Sequence, residues 1–367
     1  MKRIMIAAGA LAFAGSAAVA GGIDRSGQGI GALFETGQFT ELSFGSVSPT
    51  ISGTDAAAQP TGNVAADYFQ VGFSYKYDVN EKLSFALIID QPFGADLLYG
   101  PTSPVLGGTS AAADSIAVSG YLRYKFSDAF SVHGGLRAQR ASAAIGLQGI
   151  AYGGLSGYNV DLGSDTALGY SVGAAFEKPE IALLVALTYH SRITHDFETV
   201  ERVGLAQVSA PGAMTEVNTP QSVNLDFQTG IAANTLLFGQ VRWVDWSSFT
   251  VTPAFFGGAT GGASLVDLED TVTYTLGVGR KFSDAWSGSL SMTYEEQLDP
   301  LVSPLAPTNG KLGATLAGIY THENMKVTVG VNYTKIGDAS PATSGTSRAS
   351  FSGNSALGVG VRVGFTF

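Results

Sequence analysis

The stretch Ala356–Phe367 reads A-L-G-V-G-V-R-V-G-F-T-F. Leu357, Val359, Val361, Val363, Phe365 and Phe367 occupy one parity; Gly358, Gly360, Arg362, Gly364 and Thr366 occupy the other. Side chains of a strand alternate between its faces, so this is a strand with one apolar face and one small or polar face. Its length of 12 residues matters as much. At about 3.3 Å per residue and a tilt of about 40° such a strand crosses a hydrocarbon layer of about 25–30 Å. On the edge of a soluble sandwich it would template aggregation, whereas closing the sheet on itself removes the edge.

The same parity recurs upstream. Phe69, Val71, Phe73, Tyr75 and Tyr77 oppose Gln70, Gly72, Ser74, Lys76 and Asp78, and Val327, Val329, Val331 and Tyr333 oppose Lys326, Thr328, Gly330, Asn332 and Thr334. Helical periodicity would not keep parity over ten residues. Alternation predicts strands at 39–49, 66–78, 82–91, 114–126, 129–142, 165–177 and 180–197, and again at 221–232, 235–246, 271–282, 285–296, 311–321, 325–336 and 356–367. That is 14, an even number. The connections alternate long and short, from 50–65 and 79–81 through to 297–310 and 322–324. An up-and-down membrane barrel has that asymmetry, with tight turns on one side and long loops on the other. The fold class expected is therefore all-β: a membrane-spanning antiparallel barrel over residues 39–367, preceded by a short lumen segment at 21–38.

Composition narrows the address. The chain has 367 residues, 48 glycines, 14% charged residues, no cysteine and a formal net charge of −10. Lys2 and Arg3, the apolar run Ile4–Ala14 and the small residues Ala18, Val19 and Ala20 predict a secretory signal over residues 1–20. Beyond it no apolar run reaches the roughly 18–20 residues of a membrane helix. An acidic balance makes nucleic acid an unsuitable partner. Without cysteine there are no disulfides and no thiolate metal sites. No cofactor, metal or catalysis is expected: His133, His190, His195 and His322 show no triad arrangement, and H-E-x-x-H does not occur.

A barrel of this size is too wide for its own side chains to fill, so it holds a channel or a plug. Several motifs then resemble one family. Glu41–Pro49 (E-L-S-F-G-S-V-S-P) with Ile51-Ser52-Gly53-Thr54 looks like the first strand and loop of the FadL/TodX transporters of hydrophobic compounds. Pro92-Phe93-Gly94, Thr219-Pro220 and Trp243–Phe249 follow in the same order. The resemblance implies a bacterial outer-membrane protein that moves fatty acids or aromatic hydrocarbons by passive diffusion. Capture by outer loops and sideways exit through the wall are part of what it implies. A closing strand ending on Phe also resembles the signal read by the barrel assembly machinery of Gram-negative cells. The partners expected are thus that machinery, outer-membrane lipid and apolar small molecules, with the barrel a monomer. The chain departs from the family at its amino end, where 21–38 is about half the usual plug and Gly29-Ile30-Gly31 replaces an Asn-Pro-Ala motif.

Three groups of candidate residues follow. Ile145, Leu147, Ile150 and Leu155 in the connection 143–164, with Val203, Leu205, Val208 and Met214 in 198–220, are apolar enough to form a capture groove. Pro92 removes a ladder donor and Gly94 loosens the backbone, so Pro92, Phe93 and Gly94 mark a lateral gate. Arg123, Arg137, Arg192 and Arg242, together with Arg362, carry the inward parity and suit a carboxylate head group or pairing with inward acids. The competing expectation is a general diffusion porin for small polar solutes, which would need a wide, charged bore.

Overall fold

Phe39–Thr50 pairs antiparallel with Ser355–Thr366 along its full length, from Phe39 opposite Thr366 to Thr50 opposite Ser355, and this ladder closes the sheet. The structure is a computed structural model describing residues 23–367; the expected signal segment 1–20 lies outside the described residues.

The wall consists of β1 (Phe39–Thr50), β2 (Tyr68–Asp78), β3 (Leu83–Asp90 and Gly94–Leu98), β4 (Ser110–Lys125) and β5 (Phe130–Leu147). It continues through β6 (Tyr158–Lys178), β7 (Leu183–His190 and Ile193–Val203), β8 (Met214–Thr219 and Ser222–Ala232) and β9 (Thr235–Val244). It ends with β10 (Thr271–Lys281), β11 (Trp286–Glu295), β12 (Lys311–His322), β13 (Met325–Ile336) and β14 (Ser355–Thr366). Each is antiparallel to its sequence neighbours, and β14 returns to β1, giving the expected 14 staves. Tight turns such as Ala233-Asn234, with Asn234 at φ 58°, alternate with long connections. A left-handed backbone at that position suits asparagine.

Parity sets the two faces. Leu357, Val359, Val329 and Leu316 point outward and are exposed, while Thr328, Thr315, Ser291 and Thr275 point inward and are buried. Outward aromatics lie at two levels. Tyr124, Phe126, Phe130, Phe282 and Trp286 sit near the short turns, and Phe69, Tyr170, Tyr274, Tyr294 and Tyr333 near the other end. Tyr274 and Phe282 are eight residues apart, as are Trp286 and Tyr294. Eight residues at about 3.3 Å and a tilt of about 40° rise roughly 20 Å, close to the apolar band of an outer-membrane barrel.

Two stretches expected as loops are wall instead. β5 runs on to Leu147 and β6 begins at Tyr158, so Ile145 and Leu147 are strand residues. Likewise 198–220 is mostly β7 and β8, which places Val203 and Met214 on strands. Continuing the hydrogen-bonded ladder beyond the membrane raises the wall and leaves shorter loops to close it. Those loops pack a common apolar cluster including Val64, Leu97, Tyr99, Leu106, Val251 and Phe351.

Asp55, in the connection after β1, holds this lid together. It accepts bonds from the Ser103 hydroxyl at 2.6 Å and from the amides of Ala57 and Gln59 at 2.9 Å and of Val105 at 3.4 Å. Burial alone would raise its pKa, but these donors outweigh that and hold the carboxyl below its ordinary value. A depressed folded pKa contributes stability that is present above the unfolded value and lost as pH falls through the folded one. Hydrogen exchange of the Ala57, Gln59 and Val105 amides is therefore expected to accelerate as pH drops below about 4, after correction for the intrinsic pH dependence. Asp55→Asn should accelerate it at neutral pH by about 10-fold or more, since a bond to a charged acceptor is worth about 1.5–3 kcal/mol. For the wall, Val329→Arg on the lipid face should cost about 2–4 kcal/mol in denaturant unfolding from vesicles, with Val329→Leu near neutral.

Candidate functional site

The interior is divided by the amino-terminal segment. Ile30 and, in the short turn Gly31–Phe34 that follows it, Leu33 pack on Ala86, Ile88 and Tyr121 of the wall. Asp24 receives the Arg242 guanidinium at 2.7 and 3.2 Å. Asn224 Nδ2 donates to the Gly27 carbonyl, and Ser222 Oγ to Gln28. The segment thus ties β3 and β4 to β8 and β9 across the lumen.

Above it lies an apolar chamber of about 80 Å³. Ala113, Ala143, Ile145, Leu162, Phe197 and Val217 form its sides, Val251 and Leu305 descend from the lid, and Ile23 and Phe93 form its floor. Ala111 and Ala113 of β4 and Ala141 and Ala143 of β5 face inward and leave the space open. Phe93 meets Trp246 edge-on at 5.6 Å, and its amide and carbonyl are both bonded to Ser115 Oγ. Overhead, the helix α1 (Ala254–Thr260) is tied to β7: Glu201 accepts from the Phe255 and Phe256 amides at 2.9 Å and from the Tyr158 hydroxyl at 2.8 Å.

Below the segment lies a second cavity of about 180 Å³. Its lining combines Gly29, Ile30 and Phe34 of the segment with Gly72, Ile89 and Gln91 of the wall and with the outward-facing Phe44 and Val71.

Between the two cavities the wall ladder breaks. Pro92 has no amide hydrogen, and β3 stops at Asp90 and resumes at Gly94. The displaced turn pairs with the segment instead: Arg25 N donates to the Pro92 carbonyl at 2.8 Å, and Gly94 N to the Ile23 carbonyl at 2.9 Å. On β2, Phe73–Asp78 pair with β3. Farther up, pairing resumes where Ala66 N donates to the Asp96 carbonyl and Leu98 N to that of Val64. Tyr68–Gly72 pair with β1, and across the seam the Val71 amide reaches only the Gln91 side chain, at 3.0 Å.

The other sequence candidates are spread out. Ile145 lines the chamber; Leu147, Leu155 and Val203 belong to the lid cluster; Ile150, Leu205 and Met214 are exposed and Val208 is half-buried. Three arginines do face inward, each beside a carboxylate. Arg123 pairs with Glu177 and lies 4.6 Å over the Phe34 ring; Arg137 pairs with Asp90 at 3.0 Å; Arg242 holds Asp24. Arg362 stands 4.0 Å from Glu41. Arg192 does not face inward. β7 breaks at Ser191-Arg192 and its inward parity passes from even (Thr188, His190) to odd (Ile193, His195), leaving Arg192 exposed. Its paired strand breaks at the same level, at Pro220-Gln221.

Sequence parity missed Asp24, Arg25 and Glu201, because their partners are distant in the chain. It also passed over Gly169-Tyr170-Ser171-Val172-Gly173, which has the letters G-x-S-x-G. Ser171 Oγ lies 2.8 Å from His190 Nδ1, but the motif runs along the middle of β6. The nucleophile elbow requires a sharp strand-to-helix turn, which is not present here.

The fold is that of known transporters. Over 97% of this chain and 98% of the other, it superposes on a FadL homologue of Pseudomonas aeruginosa with a TM-score of 0.75 at 15% identity. It superposes on the toluene transporter TodX of P. putida at 0.65, covering 92% and 91% of the two chains at 11% identity. For the toluene transporter TbuX of Ralstonia pickettii the score is 0.62, with the same coverage and 14% identity. No curated protein matches the chain in sequence. A family model described as outer membrane protein transport protein (OMPP1/FadL/TodX) matches residues 6–367. With that match over a closed barrel of 14 strands, the chain belongs to this family of outer-membrane transporters of hydrophobic compounds.

Proposed function

We propose that this protein passes apolar molecules of the fatty-acid or aromatic-hydrocarbon class from the lid, through the chamber, and sideways into the bilayer at the β2–β3 seam. The observation that carries this reading is the lining of the lower cavity, which joins lumen residues to the lipid-facing Phe44 and Val71 beside the interrupted ladder. The β2–β3 ladder is lost here because Pro92 and its neighbours bond to the amino-terminal segment instead. Exposed Ile150, Leu205 and Met214 offer apolar surface for first capture outside the chamber.

The chamber selects by solvation. Its lining is chiefly alanine, aliphatic and aromatic, with Asp114, Ser115, Ser142 and Thr219 the polar members, so an apolar guest loses water at little cost in hydrogen bonds, whereas a sugar would leave most of its hydroxyls unpaired. At about 80 Å³ it is smaller than the roughly 150 Å³ cavity that accepts benzene. Admitting even one ring requires the floor at Ile23 and Phe93 to yield, which also opens the way down. The neutralised arginines favour passage over retention of a carboxylate: a head group at Arg137 or Arg242 competes with Asp90 or Asp24.

Two measurements bear on this reading. Ala113→Phe should fill the chamber and reduce uptake of both toluene and a sixteen-carbon fatty acid, with the barrel still folded. Because the chain has no cysteine, Val71→Cys with Gln91→Cys can be joined across the seam by a reducible bismaleimide. Uptake is expected to fall on cross-linking and recover on cleavage. Undiminished uptake in the fully linked protein would remove the lateral route.

A further inference from the structure

Arg25 sits in the wall rather than beside it. Its backbone belongs to the inner segment, bonded to Pro92. Its guanidinium lies 4.4 Å over the ring of Tyr68, the first residue of β2, which faces the lumen. On the far side Nη1 stands 3.8 Å from Asp114, an outward-facing carboxylate of β4 whose side chain is 79% exposed. A side chain touching an inward ring and an outward carboxylate at once spans the thickness of the sheet. The third face is Gly94, directly opposite Asp114 in the β3–β4 ladder. A Cβ on Gly94 would come within 2.4 Å of Arg25 Cζ and 2.5 Å of Nη1, so the guanidinium occupies the volume that any other residue there would fill.

We propose that Arg25 is the bolt of the lateral opening: its guanidinium closes the upper end of the β2–β3 seam, held by Tyr68, Gly94 and Asp114. The inference rests on the lateral route and names the side chain that governs it. The bolt is fixed to the chamber floor, because Ile23, two residues away, forms that floor and accepts the Gly94 amide. A guest that pushes Ile23 aside moves Arg25 with it, so loading and unbolting are one motion. Arginine suits the task because its planar group stacks on the ring and pairs with the carboxylate together, whereas a lysine ammonium offers only a point charge.

The test needs no cargo. Gly29 lines the lower cavity, and a Cβ there meets nothing within 4 Å, so Gly29→Cys carries a bimane fluorophore into it. The labelled full-length protein is placed in phosphatidylcholine vesicles containing a doxyl-labelled lipid. Val71→Cys, on the lipid face, serves as the quenched standard. Arg25→Ala and, independently, Gly94→Ala are expected to raise bilayer quenching of the Gly29 label roughly fivefold, equivalent to ~1 kcal/mol of lost closure. Arg25→Lys should fall between, and heat-modifiability with quenching by aqueous iodide should stay unchanged, which general unfolding would not allow. Equal quenching in the parent and all three variants would overturn the bolt while leaving an open lateral route standing. No quenching in any of them, with the Val71 standard quenched, would overturn bolt and route together.

Discussion

A backbone amide in hydrocarbon has no water to bond, so each one left out of the ladder costs several kcal/mol unless something else receives it. This constraint explains why β1 pairs residue for residue with β14, and it makes any lapse informative. The lapse between β2 and β3 is compensated from inside: the carbonyls and amides freed at Pro92 and Gly94 are taken up by Ile23 and Arg25. The wall is thus completed by a segment that is not part of it. On the proposed lateral route, movement of that segment and opening of the wall would be coupled through these hydrogen bonds.

The segment is itself held by charge. Asp24, Arg242, Asn224, Gln28 and Ser222 form one buried network at the far wall. A buried pair of this kind adds little net stability relative to apolar packing but is costly to break from one side, so its effect is to fix position. Anchoring at Arg242 and pairing at Pro92 place Ile23 under the chamber and Arg25 in the seam. A short lead of the chain is thereby held across the lumen. Of the residues that tie it down, Pro92 and Gly94 belong to a family-like motif, whereas Arg242, Asn224 and Ser222 do not.

Much of the fold was legible because period-two alternation is a local property: Leu357 to Phe367 declare their faces without reference to anything else. The kink was legible for the same reason, since Pro92 cannot donate wherever it stands. What failed was parity carried across a break. Arg192 reads as inward only if β7 is continuous, and the two-residue interruption at Ser191-Arg192 reverses every face beyond it. The extent of β5 through β8 was hidden because residues above the membrane need not alternate apolar with polar; Tyr158, Val160 and Leu162 face a packed lid. Glu201 and Arg25 could not be found by pattern at all, as their roles arise from groups 43 to 55 residues away in one case and from a ring, a glycine and a carboxylate on three strands in the other.

The two levels of the lumen also differ in what they ask of a guest. The chamber offers chiefly dispersion and apolar burial, which scale with contact area and do not discriminate finely between an acyl chain and an aromatic ring. On the proposed route the cargo would meet charged pairs only at the floor, Arg137 with Asp90 at the kink and Arg242 with Asp24 on the far wall. A hydrocarbon passes these pairs without disturbing them, while a carboxylate competes for the same guanidinium groups. On the proposed lateral route, discrimination between the two classes would therefore belong to the step past the kink rather than to capture, and the pairs that brace the segment would set it.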